Sequence, residues 1–270
     1  MITTPLHDEL INSVKSIAVE AGSAIMDVYH ADYDIQIKTD NSPVTDADKK
    51  ANTIIANKSN QLTPDIPILS EEGRNIPFSE RANWEYFWLI DPLDGTSNFL
   101  HGIPHWCISI ALERKGEIVA GLIYDPVKDE MFMAEKGSGA FMRNKRLRVS
   151  GRSKPEESVV LGGSPVAAHS FYEDYMKELA NVLKHQMTFR RPGAAALDLA
   201  YVAAGRAEIF WERKLKPWDV AAGYLIVKEA GGMVTGFGEN RADPVRSEGI
   251  LATNGQLHRF SEQNILSNAK

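Results

Sequence analysis

Apolar residues recur at three- and four-residue spacing from Leu10 to Val28, through Ile11, Val14, Ile17, Ala18, Ala21 and Ile25. That period is the mark of an amphipathic helix, here ending near residue 29, with Thr4 and Pro5 as its N-cap and first helical position. Residues 34–38 (DIQIK) alternate and predict a short strand. A second helix is expected from Thr45, carrying Ala51, Ile54 and Ile55 inward. Ile66 to Leu69 predicts a strand ended by Glu71 and Glu72. Tyr86 to Ile90 (YFWLI) is apolar without alternation, which predicts a strand buried on both faces. Runs at 107–113, 117–124, 130–134 and 139–142 are separated by KG, DPVKD and KGSG turns and predict an antiparallel meander.

Between Gly151 and Glu157 the chain turns polar, and a domain boundary is expected there, dividing residues 1–150 from 151–270. Beyond it short strands (158–161, 187–190, 207–211, 249–252) alternate with helices (170–184, 194–204, 218–230, 256–264). The first half therefore reads as α+β and the second as α/β, together a two-part layered α/β sandwich.

With 43% hydrophobic and 24% charged residues, the chain has the profile of a globular protein. Its net charge of −6 argues against nucleic acid or an anionic membrane as a partner, and makes a polyanionic substrate awkward without intervening cations. The single cysteine, Cys107, excludes an intrachain disulfide and a CxxC metal knuckle, and its apolar surroundings make it a core residue. The opening MITTPLHDEL has neither a basic nor an apolar signal region, and no stretch approaches ~18 uninterrupted apolar residues, so a cytoplasmic protein is expected.

The informative segment is DPLDGTSNF, residues 91–99. Asp91 follows the apolar strand, Pro92 forbids normal pairing beyond it, Gly95 permits a tight turn, and Thr96 and Ser97 suit a helix start. Asp91 and Asp94 could be a turn and a helix cap. Further acidic residues change that balance: Glu71 and Glu72 after another strand, Asp46 and Asp48 in SPVTDAD, and Asp219 in KPWDVAAG, where a helix begins. Their neighbours are apolar residues, glycine, proline and threonine rather than the interleaved lysines of a solvated surface. Carboxylates gathered at element ends near a phosphate site need divalent cations between them and the anion, and oxygen ligands suit Mg²⁺ or Mn²⁺. Asp48 also stands three residues after Thr45, so a capping role and a functional one are both open. His101 and His105 lack a third zinc ligand at suitable spacing and read as structural, and Trp211 and Trp218 as packing anchors, with Trp211 a candidate for the pocket edge. Neither G-x-S-x-G nor G-x-x-x-x-G-K-[ST] occurs, which argues against a serine hydrolase and a P-loop NTPase.

Glu71–Glu72, WLIDPLDGTSNFLHGIP (88–104), RRPGAAALDLAYVAAGR (190–206) and KPWDVAAGYLIVKEAGG (216–232) follow one another in an order that resembles the inositol monophosphatase family, closest to its bacterial extragenic-suppressor branch. The resemblance implies a layered αβαβα sandwich of the sugar-phosphatase type. It also implies Mg²⁺ ions, two or three per site with Mn²⁺ as a substitute: Glu71, Asp91 and the Leu93 carbonyl at the first, Asp91, Asp94 and Asp219 at the second. Gly95 and Thr96 would offer N–H groups to phosphate, Thr96 and Asp48 would direct the attacking water, and Glu212 would hold a substrate hydroxyl. Glu72 would support the metal ligands from behind, and Lys38 matches a lysine near the metal site. Hydrolysis would proceed by in-line attack without a covalent phosphoenzyme. A homodimer and inhibition by lithium are also implied.

DGTSNF (94–99) in place of DGTKEF favours inositol monophosphate over bisphosphorylated nucleotides, whereas SPVTDADKKAN and TPDIPILSEEG lean towards the nucleotide branch. Histidinol phosphate and fructose bisphosphate are substrates elsewhere in the wider group. Relatives of the bacterial branch act partly by binding the transcription machinery, so a surface contact of that kind is a second expectation.

Overall fold

The computed structural model describes residues 8–30, 35–37, 43–74, 76–81, 83–163 and 171–266. Thr4, Pro5 and Lys38 lie outside them. The first helix, α1 (Asp8–Tyr29), buries Ile17, Ala18, Ala21, Ile25 and Val28, the stripe its periodicity predicts. A small antiparallel pair, β1 (Ile35–Ile37) and β2 (Pro43–Thr45), leads into α2 (Asp46–Leu62). The buried stripe of α2 is Ala47, Asp48, Ala51, Ile55 and Ser59, so an aspartate occupies a position where an apolar residue would pack.

A seven-stranded sheet follows in the order β3 (Ile68–Ser70), β4 (Tyr86–Asp94), β5 (Cys107–Arg114), β6 (Glu117–Asp125), β7 (Glu130–Glu135), β8 (Gly139–Met142) and β9 (Lys145–Arg146). β3 and β4 are parallel and the rest is the expected meander. Two short helices, α3 (Phe78–Arg81) and α4 (Thr96–Leu100), flank β4. The second half adds β10 (Val159–Gly162), α5 (Tyr172–Lys184), β11 (Thr188–Arg190), α6 (Ala195–Ala203), β12 (Ile209–Arg213), α7 (Pro217–Glu229), β13 (Met233–Gly236), β14 (Gly249–Thr253) and α8 (His258–Asn264). Its five strands run β11-β10-β12-β14-β13, with β10 parallel to both neighbours and β14 antiparallel to both of its own. No helix among the described residues is long and apolar enough to cross a membrane.

Side-chain alternation on β4 explains the layering. Trp88 and Ile90 face the cluster made with α1 and α2, while Phe87 and Leu89 face a second cluster built on α6 and α7. That second cluster also takes Leu161, Phe210, Ile250 and Ala252 from the other sheet. The outer face of the five-stranded sheet supplies Val160, Ile209, Trp211 and Leu251 to a third cluster under α5 and α8. The result is the five-layered α/β sandwich, with α6 and α7 as the shared middle layer.

The sequence reading did not name β2, α3 or β9, and two further elements, β4 and β13, differ from it in ways that bear on the architecture. β4 runs four residues past Ile90, because Pro92 interrupts the ladder without ending it: Asp91 pairs with Ser109, the register shifts, and Asp94 pairs with Cys107. β13 was not expected; Met233, Val234 and Thr235 are each only partly covered, so no buried apolar run announces the strand.

The outer layer holds a buried ion pair. Glu178 of α5 accepts hydrogen bonds from Arg213 and from Trp211 Nε1 of β12. Glu178→Ala would leave Arg213 charged in the interior, and denaturant melts should show a loss of about 3–5 kcal/mol.

Candidate metal centre and phosphate site

Parallel pairing of β3 with β4 brings two strand ends side by side, and the Glu71 N–H donates to the Ile90 carbonyl at 3.1 Å. Glu71 and Asp91 thus leave the sheet next to each other. The interruption at Pro92 folds the chain back so that Asp91 Oδ1 accepts the Leu93 N–H at 3.0 Å. Gly95 follows with φ at +91°, and a Cβ there would press on Ala194, the His105 carbonyl and Trp106 at 3.1–3.2 Å. Glycine is therefore required both by conformation and by space. The turn delivers Asp94 towards the start of α6, where its Oδ2 accepts the Ala196 N–H at 2.7 Å.

Asp219 arrives from α7, in the middle layer. Its Oδ2 accepts the Lys216 N–H at 2.7 Å, which anchors the carboxylate to the first turn of its own helix. Ser109, across the ladder from Asp91, donates from its hydroxyl to the Trp218 carbonyl at 3.0 Å. One side chain so links the strand beside Asp91 to the residue before Asp219. Carboxylate oxygens of Glu71, Asp91 and Asp219 lie within 4.8 Å of one another. Asp91 is buried, and Glu71, Asp94 and Asp219 keep part of their surface, as groups flooring a cleft do.

Electrostatics describes the same cluster. Burial pushes Asp91 well above the usual carboxylate range, and the charges of Glu71, Asp94 and Asp219 push it further. Asp94 is lifted to about 7, first by burial; the Ala196 N–H opposes this, and the charges of Asp198 and Glu71 reinforce it. Burial and then the Asp94 charge likewise raise Asp219. An all-oxygen set of crowded carboxylates that disfavour one another's charge fits a hard divalent cation. The cluster can hold a metal ion.

Thr96 and Asp48 meet here although 48 positions separate them. The Thr96 hydroxyl donates to the Leu93 carbonyl at 3.1 Å and lies 3.4 Å from Asp48 Oδ1. The second distance is long for an O–H···O bond, so the proton points at Leu93 and Asp48 stands just behind. Glu212 projects from β12; burial of its carboxyl lifts it to about 8, with Asp198 and Asp94 adding to the effect and Arg191 opposing it. All the carboxylates named from the sequence as ligands thus converge with Thr96 and Asp48. The tightest grouping, Glu71–Asp91–Asp219, takes members from both of the ligand sets that the resemblance implies.

Sequence reasoning passed over Asp198 and Asn98. Asp198 Oδ1 lies 2.9 Å from His105 Nε2, and Asp198 also receives the Gly193 N–H. Burial favours the neutral form of each partner, raising Asp198 and lowering His105 to about 4. Asn98 Nδ2 donates to the His105 and Pro192 carbonyls at 2.7 and 2.8 Å. These groups tie the Asp94 turn to the start of α6. An acid in the apolar run AAALDLAYVAA was the available signal, since an unpartnered charge would not be buried there.

Known proteins resemble the chain in sequence and in fold. Residues 6–268 match the inositol monophosphatase family model. The chain is 41% identical over 252 residues to an inositol-1-monophosphatase of Mesorhizobium japonicum, covering 93% of each chain. It is 43% identical over 196 residues to Nus factor SuhB of Pseudomonas aeruginosa, covering 72% of each. The crystal structure of the extragenic suppressor protein suhB from Bartonella henselae superposes with a TM-score of 0.88 at 42% identity, over 96% of this chain and 98% of that one. A Thermotoga maritima IMPase gives 0.84 at 36% identity over 96% of both. The chain belongs to the inositol monophosphatase family and is a phosphatase.

Proposed function

We propose that the protein hydrolyses a small phosphate monoester, myo-inositol monophosphate foremost, with Mg²⁺ held by Glu71, Asp91, the Leu93 carbonyl, Asp94 and Asp219. The observation that carries this reading is the meeting of the Glu71, Asp91 and Asp219 carboxylates within 4.8 Å. When bound, such ions lower the pKa of water and neutralise the phosphate charge. The remaining work falls to the chain. Backbone N–H groups of Gly95 and Thr96 bind phosphate oxygens. Thr96 Oγ1, its proton committed to Leu93, offers its lone pairs to a water hydrogen and so orients that water. Asp48 Oδ1, behind Thr96, is the acceptor for the proton released. Glu212, whose carboxyl burial lifts above the usual range, hydrogen-bonds a hydroxyl of the substrate.

A second reading rests on the relatives named Nus factor SuhB: the same chain contacts the transcription machinery through its surface. A homodimer in the cytoplasm accords with both readings.

Asp91→Asn and Asp94→Asn should each lower kcat/KM on the order of a thousandfold or more, with the fold retained by circular dichroism. Near-normal turnover in either would refute the ligand assignment, and a cellular role that survives Asp91→Asn would favour the second reading. In a kinetic panel of myo-inositol monophosphate, adenosine 3',5'-bisphosphate, histidinol phosphate and fructose bisphosphate, the first should have the highest kcat/KM; a clear preference for the bisphosphorylated nucleotide would displace it.

The cluster also sets a pH dependence. In the folded, metal-free protein Asp94 keeps its proton up to about pH 7, and Asp91 and Asp219 keep theirs beyond the usual range, against about 4 for an unfolded aspartate. The folded state then binds more protons than the unfolded one, so stability falls as pH rises through this window. His105, held neutral, acts in the opposite sense only below about pH 6.5. The Tm of metal-free protein should therefore drop as pH rises from about 4 through about 7, drop less in Asp94→Asn, and recover on adding Mg²⁺ at the higher pH. A Tm that climbs over this interval would contradict the crowding of the carboxylates.

A further inference from the structure

Alternation along β12 separates two tasks. Trp211 and Arg213 face the outer layer, where both bond Glu178. Glu212, between them, is sent to the opposite face with Phe210, towards α6 and α7. It feels the charge of Asp94, and Asp219 in turn feels the charge of Glu212, as expected of a carboxyl at the rim of the acidic cluster.

The neighbour of Glu212 across the ladder is the end of β10. Gly162 pairs with Trp211, and the Gly163 N–H donates to the Trp211 carbonyl at 3.3 Å. A Cβ built on Gly163 would fall on the Glu212 carboxyl: its three nearest atoms are Oε2, Cδ and Oε1, all far inside the 3.0 Å that real Cβ contacts respect. The backbone does not ask for glycine here, since Gly163 is not among the residues with positive φ. Gly95 is the contrasting case, with φ at +91°. At Gly163 a Cβ would meet only the far end of the Glu212 side chain, so a side chain there would displace that carboxyl and not the backbone.

We propose that Gly163 is a specificity-determining residue: by lacking a side chain it seats the Glu212 carboxyl at the rim of the metal cluster, and so decides whether the enzyme grips a hydroxyl-bearing phosphate ester. This rests on the reading of Glu212 as the group that binds a substrate hydroxyl. A methyl group at 163 would force the carboxyl out of its seat while leaving the metal ligands and the Thr96 turn in place. Substrates without hydroxyls make no use of that seat.

The test is a double-mutant cycle on two substrates, myo-inositol monophosphate and p-nitrophenyl phosphate. In Gly163→Ala and in Glu212→Ala, the ratio of the two kcat/KM values should fall about tenfold or more against the polyol ester, through its KM. The double variant should fall no further than Glu212→Ala alone, because both changes remove the same contact. If Glu212→Ala leaves the ratio unchanged, the reading of Glu212 fails and the proposal with it. If Glu212→Ala lowers the ratio and Gly163→Ala does not, or lowers both substrates equally, the role of Gly163 is overturned while Glu212 stands. Additive effects also overturn it. Should Gly163→Ala fold poorly, the double variant should recover the Tm of Glu212→Ala, since the volume is then vacant; a double variant that still misfolds contradicts the assignment of that volume to the carboxyl.

Discussion

Carboxylates that repel one another are crowded into one cleft, and most of the architecture bears on holding them there. Left to themselves they would separate or take up protons, as the raised Asp91, Asp94 and Asp219 record. Three are pinned by the backbone through a single oxygen: Asp91 by the Leu93 N–H, Asp94 by the Ala196 N–H and Asp219 by the Lys216 N–H. The other oxygen of each stays available to a shared cation. A charge-assisted bond of this kind fixes direction as well as position. The cluster is thus a preorganised shell whose repulsion a bound cation would relieve, which would link binding of the ion to stability of the fold.

Its parts come from three layers. Asp91 and Glu71 end neighbouring parallel strands, Asp219 rides on a helix of the middle layer, and Asp48 reaches in from a helix on the far side of the first sheet. Such dispersed groups hold their mutual distances only if the layers cannot slide. The central apolar cluster, which draws on both sheets and on α6 and α7, supplies that rigidity. Polar ties add direction: Ser109 to the Trp218 carbonyl, His105 to Asp198, and Asn98 to the His105 and Pro192 carbonyls. Each connects the Asp91–Asp94 strand end or its neighbour to an element from the second half of the chain.

β12 shows how a strand keeps stability and chemistry apart. The ionic network of Glu178, Trp211 and Arg213 lies on one face and Glu212 on the other. Because successive side chains point in opposite directions, the outer layer is locked without intruding on the cleft. Gly163 belongs to the same arrangement, since the neighbouring strand end must be bare where the carboxyl lies.

By itself the sequence determined the elements whose signal is local. The three- and four-residue spacing of α1, the unbroken apolar run of β4 and the turns of the meander are short-range patterns, and a residue's neighbours suffice to read them. The acidic segments were legible for the same reason, because carboxylates beside glycine and proline at strand ends stand out from a solvated surface. Tertiary structure alone decided which segments meet: the order β11-β10-β12-β14-β13, the half-covered strand β13, the passage of β4 beyond Pro92, and the pairing of His105 with Asp198. It also decided that Glu71, Asp91 and Asp219 form the tightest group, and that Gly163 lies against Glu212. These outcomes depend on sheet register and helix packing between residues far apart in the chain, and no local periodicity carries information about a distance that only the folded layers define.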